Sequence, residues 1–90
     1  MIMPQPKVVI YTKEYCPYCQ AAKQLLSDKK ISFEEVDVTH EEGVLEKLIE
    51  KTRHQTVPQV FIGERFVGGF QELKALDQSG ELNRLLDISC

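Results

Sequence analysis

Lys7-Val8-Val9-Ile10-Tyr11-Thr12-Lys13-Glu14-Tyr15-Cys16-Pro17-Tyr18-Cys19 reads as two structural elements with a cysteine at their junction. Its first six residues are mostly β-branched or aromatic, the composition of a buried strand. Pro17 then brings a fixed φ suited to the first position of a helix. Tyr18, Ala21, Ala22, Leu25 and Leu26 follow at helical spacing and define one face, and the polar, late-basic Ser27-Asp28-Lys29-Lys30 ends the helix. Cys16 therefore falls at the N-cap. Cys19 lies one turn in, on the same side, and is expected to be the less exposed of the two.

Outward from this stretch, Ile31 to Val38 reads as a second strand, with the alternation slipping at Glu34-Glu35. Strand, helix and strand at this length form a βαβ unit, which implies parallel strands joined by a right-handed crossover. Thr39 to Thr52 reads as a second helix, with Thr39 as N-cap, Glu42 at the capping-box position, and Val44, Leu45, Leu48 and Ile49 as its apolar stripe. Val60-Phe61-Ile62 and Arg65-Phe66-Val67 flank Gly63-Glu64 as a hairpin, and Gly68-Gly69 breaks its second strand. Phe70 to Gln78 reads as a third helix and Glu81 to Ile88 as a short fourth, separated by Ser79-Gly80. With no repeat, linker or low-complexity run, residues 1–90 are expected to form a single α/β domain, its small four-stranded mixed sheet flanked by helices.

The composition narrows the function. A chain of 90 residues with 42% hydrophobic and 28% charged residues has room for one modest core. The net charge of −3 offers no basic footprint for nucleic acid or an anionic membrane surface. No run approaches membrane-spanning length, and residues 1–6 contain no signal-peptide h-region, so a cytoplasmic protein is expected. Of the three cysteines, Cys16 and Cys19 are too close in sequence for a bridge between them to restrict the unfolded chain. Such a pair in a reducing compartment points to redox or metal chemistry.

The thiolate is the nucleophile in disulfide exchange, so a working cysteine needs a depressed pKa. The first-turn N–H groups, the helix dipole and nearby Lys13 all favour negative charge at Cys16. Cys19 is then placed to resolve a mixed disulfide formed there. A zinc site completed by His40 and His54 is the competing reading, but the gap between these histidines is far wider than in finger-type sites, and no metal is expected. Cys90, at the terminus, reads as a bystander.

Three motifs in order, Cys16-Pro17-Tyr18-Cys19, Thr56-Val57-Pro58 and Gly68-Gly69, resemble those of a dithiol glutaredoxin, and the resemblance covers nearly the whole chain. It implies a thioredoxin-like fold, with glutathione as reductant and co-substrate rather than a permanently bound cofactor. It further implies a cis bond before Pro58, and a Val57 backbone that pairs with glutathione beside Cys16 like a neighbouring strand. Gly69 would allow close approach of the ligand, and the N-terminus of the following helix, with Phe70 and Gln71, would take the γ-glutamyl carboxylate. Tyr18 and Thr56 fall within the same site, and Lys13 and His54 correspond to polar groups near the glycine carboxylate. The implied substrates are glutathionylated proteins and protein disulfides such as that of ribonucleotide reductase, handled by a monomer.

The chain also departs from the family pattern. After the double glycine, glutaredoxins commonly carry a small residue or Cys and then Asp or Ser, where Phe70 and Gln71 stand here. Arg53 stands where Gly is common and His54 where Gln or Arg is common, which makes Arg53 a candidate counter-charge for a carboxylate. Gly69-Phe70 also resembles part of the Ser-Gly-Phe turn of redoxins reduced by thioredoxin reductase, an alternative choice of reductant. An alternative of another class is an iron–sulfur carrier bridged by Cys16 and glutathione, against which the rigid Pro17 argues.

Overall fold

Alternation in the first strand decides which face of the sheet becomes the core. In the computed structural model, which describes residues 6–86, Val8, Ile10 and Thr12 of β1 (Val8–Thr12) are buried on one face, and Val9 and Tyr11 are half-buried on the other. Pro17–Asp28 forms α1, and the chain returns as β2 (Glu34–Asp37), parallel to β1 with Val9 opposite Glu34. After α2 (Glu42–Thr52), β3 (Gln59–Ile62) pairs antiparallel with the other side of β1, and β4 (Arg65–Gly68) pairs antiparallel with β3. The sheet order is β2-β1-β3-β4, the mixed four-stranded sheet expected. The helices α3 (Phe70–Ser79) and α4 (Glu81–Leu86) close the chain's described part.

Val8 and Ile10 of β1 and Val60 and Ile62 of β3 meet Ala22 and Leu26 of α1, Leu73 of α3, and Leu82 and Leu86 of α4 in one core. Each large side chain fully buried there contributes about 1.5–3 kcal/mol. That burial holds α4 in place, because six residues are far too few for a helix stable on its own. The opposite face carries a looser aromatic group. Tyr11 meets Phe61 edge-on at 5.7 Å, Phe61 lies 5.1 Å from Phe66, and the Lys51 ammonium sits 5.5 Å above the Phe61 ring.

Several boundaries differ from the sequence reading, each for a local reason. β2 begins at Glu34 rather than Ile31 because Lys30 turns into the left-handed region (φ 59°) and the Ile31 N–H returns to the Leu26 carbonyl at 2.9 Å, closing α1. The Ile31 side chain still enters the core. Thr39 is not the cap of α2, which starts at Glu42. Its N–H and O–H both donate to the Asp37 carboxylate (2.8 and 2.6 Å), and its oxygen accepts the Glu14 N–H at 2.8 Å. Val44 is exposed, so the apolar stripe of α2 is narrower than expected, and Tyr18 leaves the core face of α1 for solvent, with Cys19 buried in its place. The hairpin turn, Gly63-Glu64, lies where expected, with Gly63 in the left-handed region (φ 60°). Residues 87–90, with the expected end of the fourth helix and Cys90, lie outside the described residues.

Candidate active site

The strand-to-helix corner puts Cys16 at the N-cap of α1, with extended backbone (φ −107°, ψ 106°) ahead of Pro17. Its carbonyl accepts the Gln20 N–H at 3.1 Å, and its Sγ accepts the Cys19 N–H at 3.2 Å, so the sulfur occupies the place of a capping oxygen. The Val57 carbonyl oxygen lies 3.9 Å from the same sulfur, within reach of a weak S–H donor. Cys16 is half-buried and Cys19 has no exposed surface, and both are free thiols. Burial, and then the hydrogen bond with Cys16, push the Cys19 thiol up to about 12 against the opposing pull of the Lys13 N–H and the Lys23 charge. The pair thus combines a partly accessible sulfur at a helix N-terminus with a sealed, protonated one.

Beside the pair runs a groove of about 280 Å³ lined by Tyr18, His54, Thr56, Val57, Pro58, Gly69, Phe70 and Gln71, all singled out from the sequence, together with Glu72. Lys13 is exposed and does not line it, and neither does Arg53. Arg53 instead caps α2 in the left-handed region (φ 64°), the conformation that makes glycine common at such a position. The Tyr18 and Phe70 rings stand 6.2 Å apart along one side. The Val57–Pro58 bond is cis.

Two residues that shape this groove were missed in the sequence reading. Gln59 is fully buried at the start of β3 and holds the loop before it. Its amide donates to the carbonyls of His54 (2.8 Å) and Thr56 (3.2 Å), and its oxygen accepts from the Thr52 hydroxyl at 3.0 Å. The signal was present: a glutamine inside a fully buried strand needs partners, and the loop carbonyls are the nearest acceptors. Glu72 is the second. Its carboxylate accepts the Gly69 N–H at 2.7 Å, filling one of the donors at the α3 N-terminus that sequence reasoning reserved for ligand. By helix geometry the Phe70 and Gln71 N–H groups have no intrahelical acceptor and face the groove end.

The glycines also exchange roles. At Gly68 (φ +126°) an added Cβ would fall 2.7 Å from the Glu72 carboxylate oxygen, so Gly68 is the strict one. At Gly69 a Cβ would meet the His54 ring at 3.2 Å. The space at Gly69 accommodates a protein side chain, since His54 itself packs edge-on to Phe66 at 5.7 Å. Among the described residues no group of three or more His, Cys, Asp or Glu side chains converges on a possible metal position, and no helix is long and apolar enough to cross a membrane.

Comparison with known proteins agrees with this geometry. Residues 8–67 match the glutaredoxin family model. The chain is 47% identical over 79 residues to glutaredoxin 3 of Escherichia coli K12, covering 88% of this chain and 95% of that protein. It is 46% identical over 81 residues to the glutaredoxin of Pseudomonas aeruginosa, covering 90% and 96%. The solution structure of glutaredoxin from Brucella melitensis superposes with a TM-score of 0.86 at 38% identity, over 96% of this chain and 94% of that one. The crystal structure of a buckwheat glutaredoxin–glutathione complex gives 0.87 at 26% identity, over 93% and 83%. A half-buried and a buried thiol at the head of α1, beside a groove lined by residues 54–58 and 69–72, are therefore the centre of a chain that belongs to the glutaredoxin family of glutathione-dependent thiol–disulfide oxidoreductases.

Proposed function

We propose that Cys16 is the nucleophile and Cys19 the resolving thiol of glutathione-dependent disulfide reduction, with glutathione held in the groove beside them. The observation that carries this is the asymmetry of the pair: one sulfur half-buried 3.9 Å from the carbonyl of the groove residue Val57, the other with no exposed surface. With a glutathionylated protein, the Cys16 thiolate attacks the glutathione sulfur. The protein thiolate leaves and takes up a proton. A second glutathione thiolate then attacks the Cys16 adduct, which yields glutathione disulfide and frees Cys16. With a protein disulfide, the Cys16 thiolate attacks one sulfur and the other leaves as a thiolate that takes up a proton. Cys19 then attacks the Cys16 sulfur of the mixed disulfide and expels the remaining protein thiolate. Two glutathiones return the Cys16–Cys19 disulfide to dithiol.

The Val57 backbone supports this as the edge that pairs with the peptide part of glutathione, its carbonyl already beside the sulfur. The Phe70 and Gln71 N–H groups at the head of α3 suit the γ-glutamyl carboxylate. His54 and Thr56 offer polar contacts along the groove, whereas Lys13 acts from outside it. The reading includes a cytoplasmic monomer with no permanently bound cofactor, and protein disulfides such as that of ribonucleotide reductase among its substrates.

The test replaces each cysteine and supplies glutathione with its reductase. Cys16→Ser is expected to lose reduction of both a glutathionylated peptide and a protein disulfide. Cys19→Ser is expected to keep the first and lose the second. Equal loss of both activities in Cys19→Ser would overturn the division of roles, and turnover with thioredoxin reductase in place of glutathione would overturn the choice of reductant.

A further inference from the structure

Resolution asks something difficult of Cys19. The sulfur must attack as an anion from a site with no exposed surface, where burial holds the proton on. In the resting protein Cys16 shares a hydrogen bond with it, but in the mixed disulfide Cys16 carries no charge and cannot serve as proton acceptor. Whatever eases the step has to come from elsewhere in the shell around Cys19.

Among the described residues, the cation whose charge opposes the raised Cys19 pKa is Lys23, with a weaker pull than the Lys13 backbone N–H. Lys23 is one turn below Cys19 on the same face of α1, the spacing at which helical side chains are neighbours. Its side chain is only 22% exposed, and its ammonium is tied to the Glu35 carboxylate of β2 at 3.0 Å. The same Glu35 oxygen accepts the hydroxyl of Thr12, at 2.7 Å. Thr12 is itself buried on the α1 side of the sheet, next to Lys13, whose backbone N–H favours the charged form of Cys19. A lysine that only decorated the surface would need no such tether. The Thr12 hydroxyl and the Lys23 ammonium hold Glu35 well below the usual carboxylate range, so at neutral pH the anchor is always charged.

We propose that Lys23, fixed by Glu35 and Thr12, is a positioning residue for the resolving step, its ammonium stabilising the negative charge on Cys19 sulfur as it attacks the mixed disulfide on Cys16. The groups that act on that sulfur are then the Cys16 side chain at the cap, the Lys13 backbone N–H in the loop and the Lys23 charge on the helix, with Glu35 on the strand bound to Lys23. Lys23 contributes the favourable field, and Glu35 fixes its direction at the cost of partial neutralisation. Electrons pass from Cys19 to the departing thiol, which leaves with the pair from the broken S–S bond, and the proton lost by Cys19 goes to solvent or to the leaving thiolate. Lys23 neither gains nor loses a proton.

This inference rests on Cys19 being the resolving thiol, and the test separates the two. Reduced protein carrying Cys90→Ser, so that only the pair reports, is mixed in stopped flow with neutral dipyridyl disulfide. The first thiopyridone released reports attack by Cys16, the second reports attack by Cys19 on the Cys16–thiopyridyl disulfide. Cys19→Ser is expected to lose the second phase; if it does not, the resolving assignment fails before Lys23 is tested. Lys23→Met is expected to slow the second phase about threefold, since a tenfold loss of thiolate is offset by about threefold greater intrinsic nucleophilicity. The first phase is expected to stay within a factor of about two, and Lys23→Arg to restore the second. An unchanged second phase in Lys23→Met, equal slowing of both phases, or failure of arginine to rescue would each overturn the proposal.

Discussion

Residues 12–19, which carry the two thiols and give the groove Tyr18, form one wall of the site. Residues 52–59, which meet them at Val57, form the other, and different kinds of bond fix them. The first wall is set by backbone geometry: a strand ends, Cys16 caps a helix, and the Cys19 and Gln20 N–H groups close on Cys16 in the ordinary pattern of a first turn. Its side chains at Lys13, Glu14, Tyr15 and Pro17 are exposed, and exposed Tyr18 stands against Phe70 along the groove. The second wall has no repeating hydrogen-bond pattern of its own. Arg53 turns it left-handed, Pro58 is cis, and the carbonyls of His54 and Thr56 are gathered by the buried amide of Gln59. One wall carries the reacting sulfurs and is robust to most side-chain changes. The other shapes the groove and depends chiefly on one buried side chain, Gln59.

Breaking that side chain should give the largest effect. Gln59→Leu keeps the volume roughly but leaves the two loop carbonyls of His54 and Thr56 without their partner, while the Thr52 hydroxyl keeps the Leu48 carbonyl at 2.8 Å. With partial rehydration of the loop, the expected loss is about 2–3 kcal/mol, read as a fall in Tm of roughly 10–20 °C for a domain of this size. The groove should suffer more than the sulfur, with activity on a glutathionylated peptide falling at least about tenfold and the first thiopyridone phase staying within about twofold. Equal loss in the two assays would mean that the walls are not independent.

The same contrast explains what could be read from the chain. Cys16, Pro17 and the apolar spacing after them are a local pattern whose meaning does not depend on the rest of the fold, and the strand, helix and parallel return appear where that pattern places them. The lining of the groove was legible through three short motifs taken together. What escaped was mostly side-chain traffic between elements. Thr39 reads as a helix cap because the rule for caps is local, yet Asp37 and Glu14 claim its hydroxyl first. Glu72 goes unread although its signal is local: an acidic residue three positions after Gly69, at the head of a helix, is the second half of a capping box, and its carboxylate accepts the Gly69 N–H. Arg53 reads as a free charge, and only the backbone shows that it serves as a helix terminator.

An effect no larger than that is expected where both walls meet α3. Gly68→Ala forces a side chain into φ +126° and against the Glu72 carboxylate at 2.7 Å. The Glu72 Cβ is also within 2.9 Å, so rotating that side chain does not clear the site. The backbone must shift, the bond to the Gly69 N–H is lost and the strain remains, a combined cost of about 2–3 kcal/mol. Gly69→Ala meets the His54 ring at 3.2 Å and the Glu72 carboxylate oxygen at 3.4 Å, so a small shift of the ring suffices. Stability should fall by under about 1 kcal/mol, while KM for the glutathionylated peptide rises. Chemical denaturation of the two variants side by side checks the order, and a larger loss at Gly69 would place the tight backbone approach on the wrong glycine.

The smallest effect belongs to the first wall, where Thr39 ties the Glu14 N–H to Asp37 across solvent. Thr39→Val removes the hydroxyl, the largest influence holding the Asp37 carboxyl below its ordinary value, while the backbone N–H of residue 39 remains to bind it. Because Asp37 binds its proton less readily folded than unfolded, the stabilisation is present above the ordinary value of 3.8 and is lost as pH falls through the lower folded value. The Tm of Thr39→Val should therefore lie slightly below that of the parent protein at neutral pH, and the gap should close as the solution is made more acidic. Water replaces the lost partner of the exposed Glu14 N–H, so the first thiopyridone phase should hardly change. A gap that stayed constant from neutral pH to pH about 2 would show that Thr39 acts without the carboxylate. A first phase slowed several-fold would show that the corner needs this side-chain tether after all, and the two walls would then differ in degree rather than in kind.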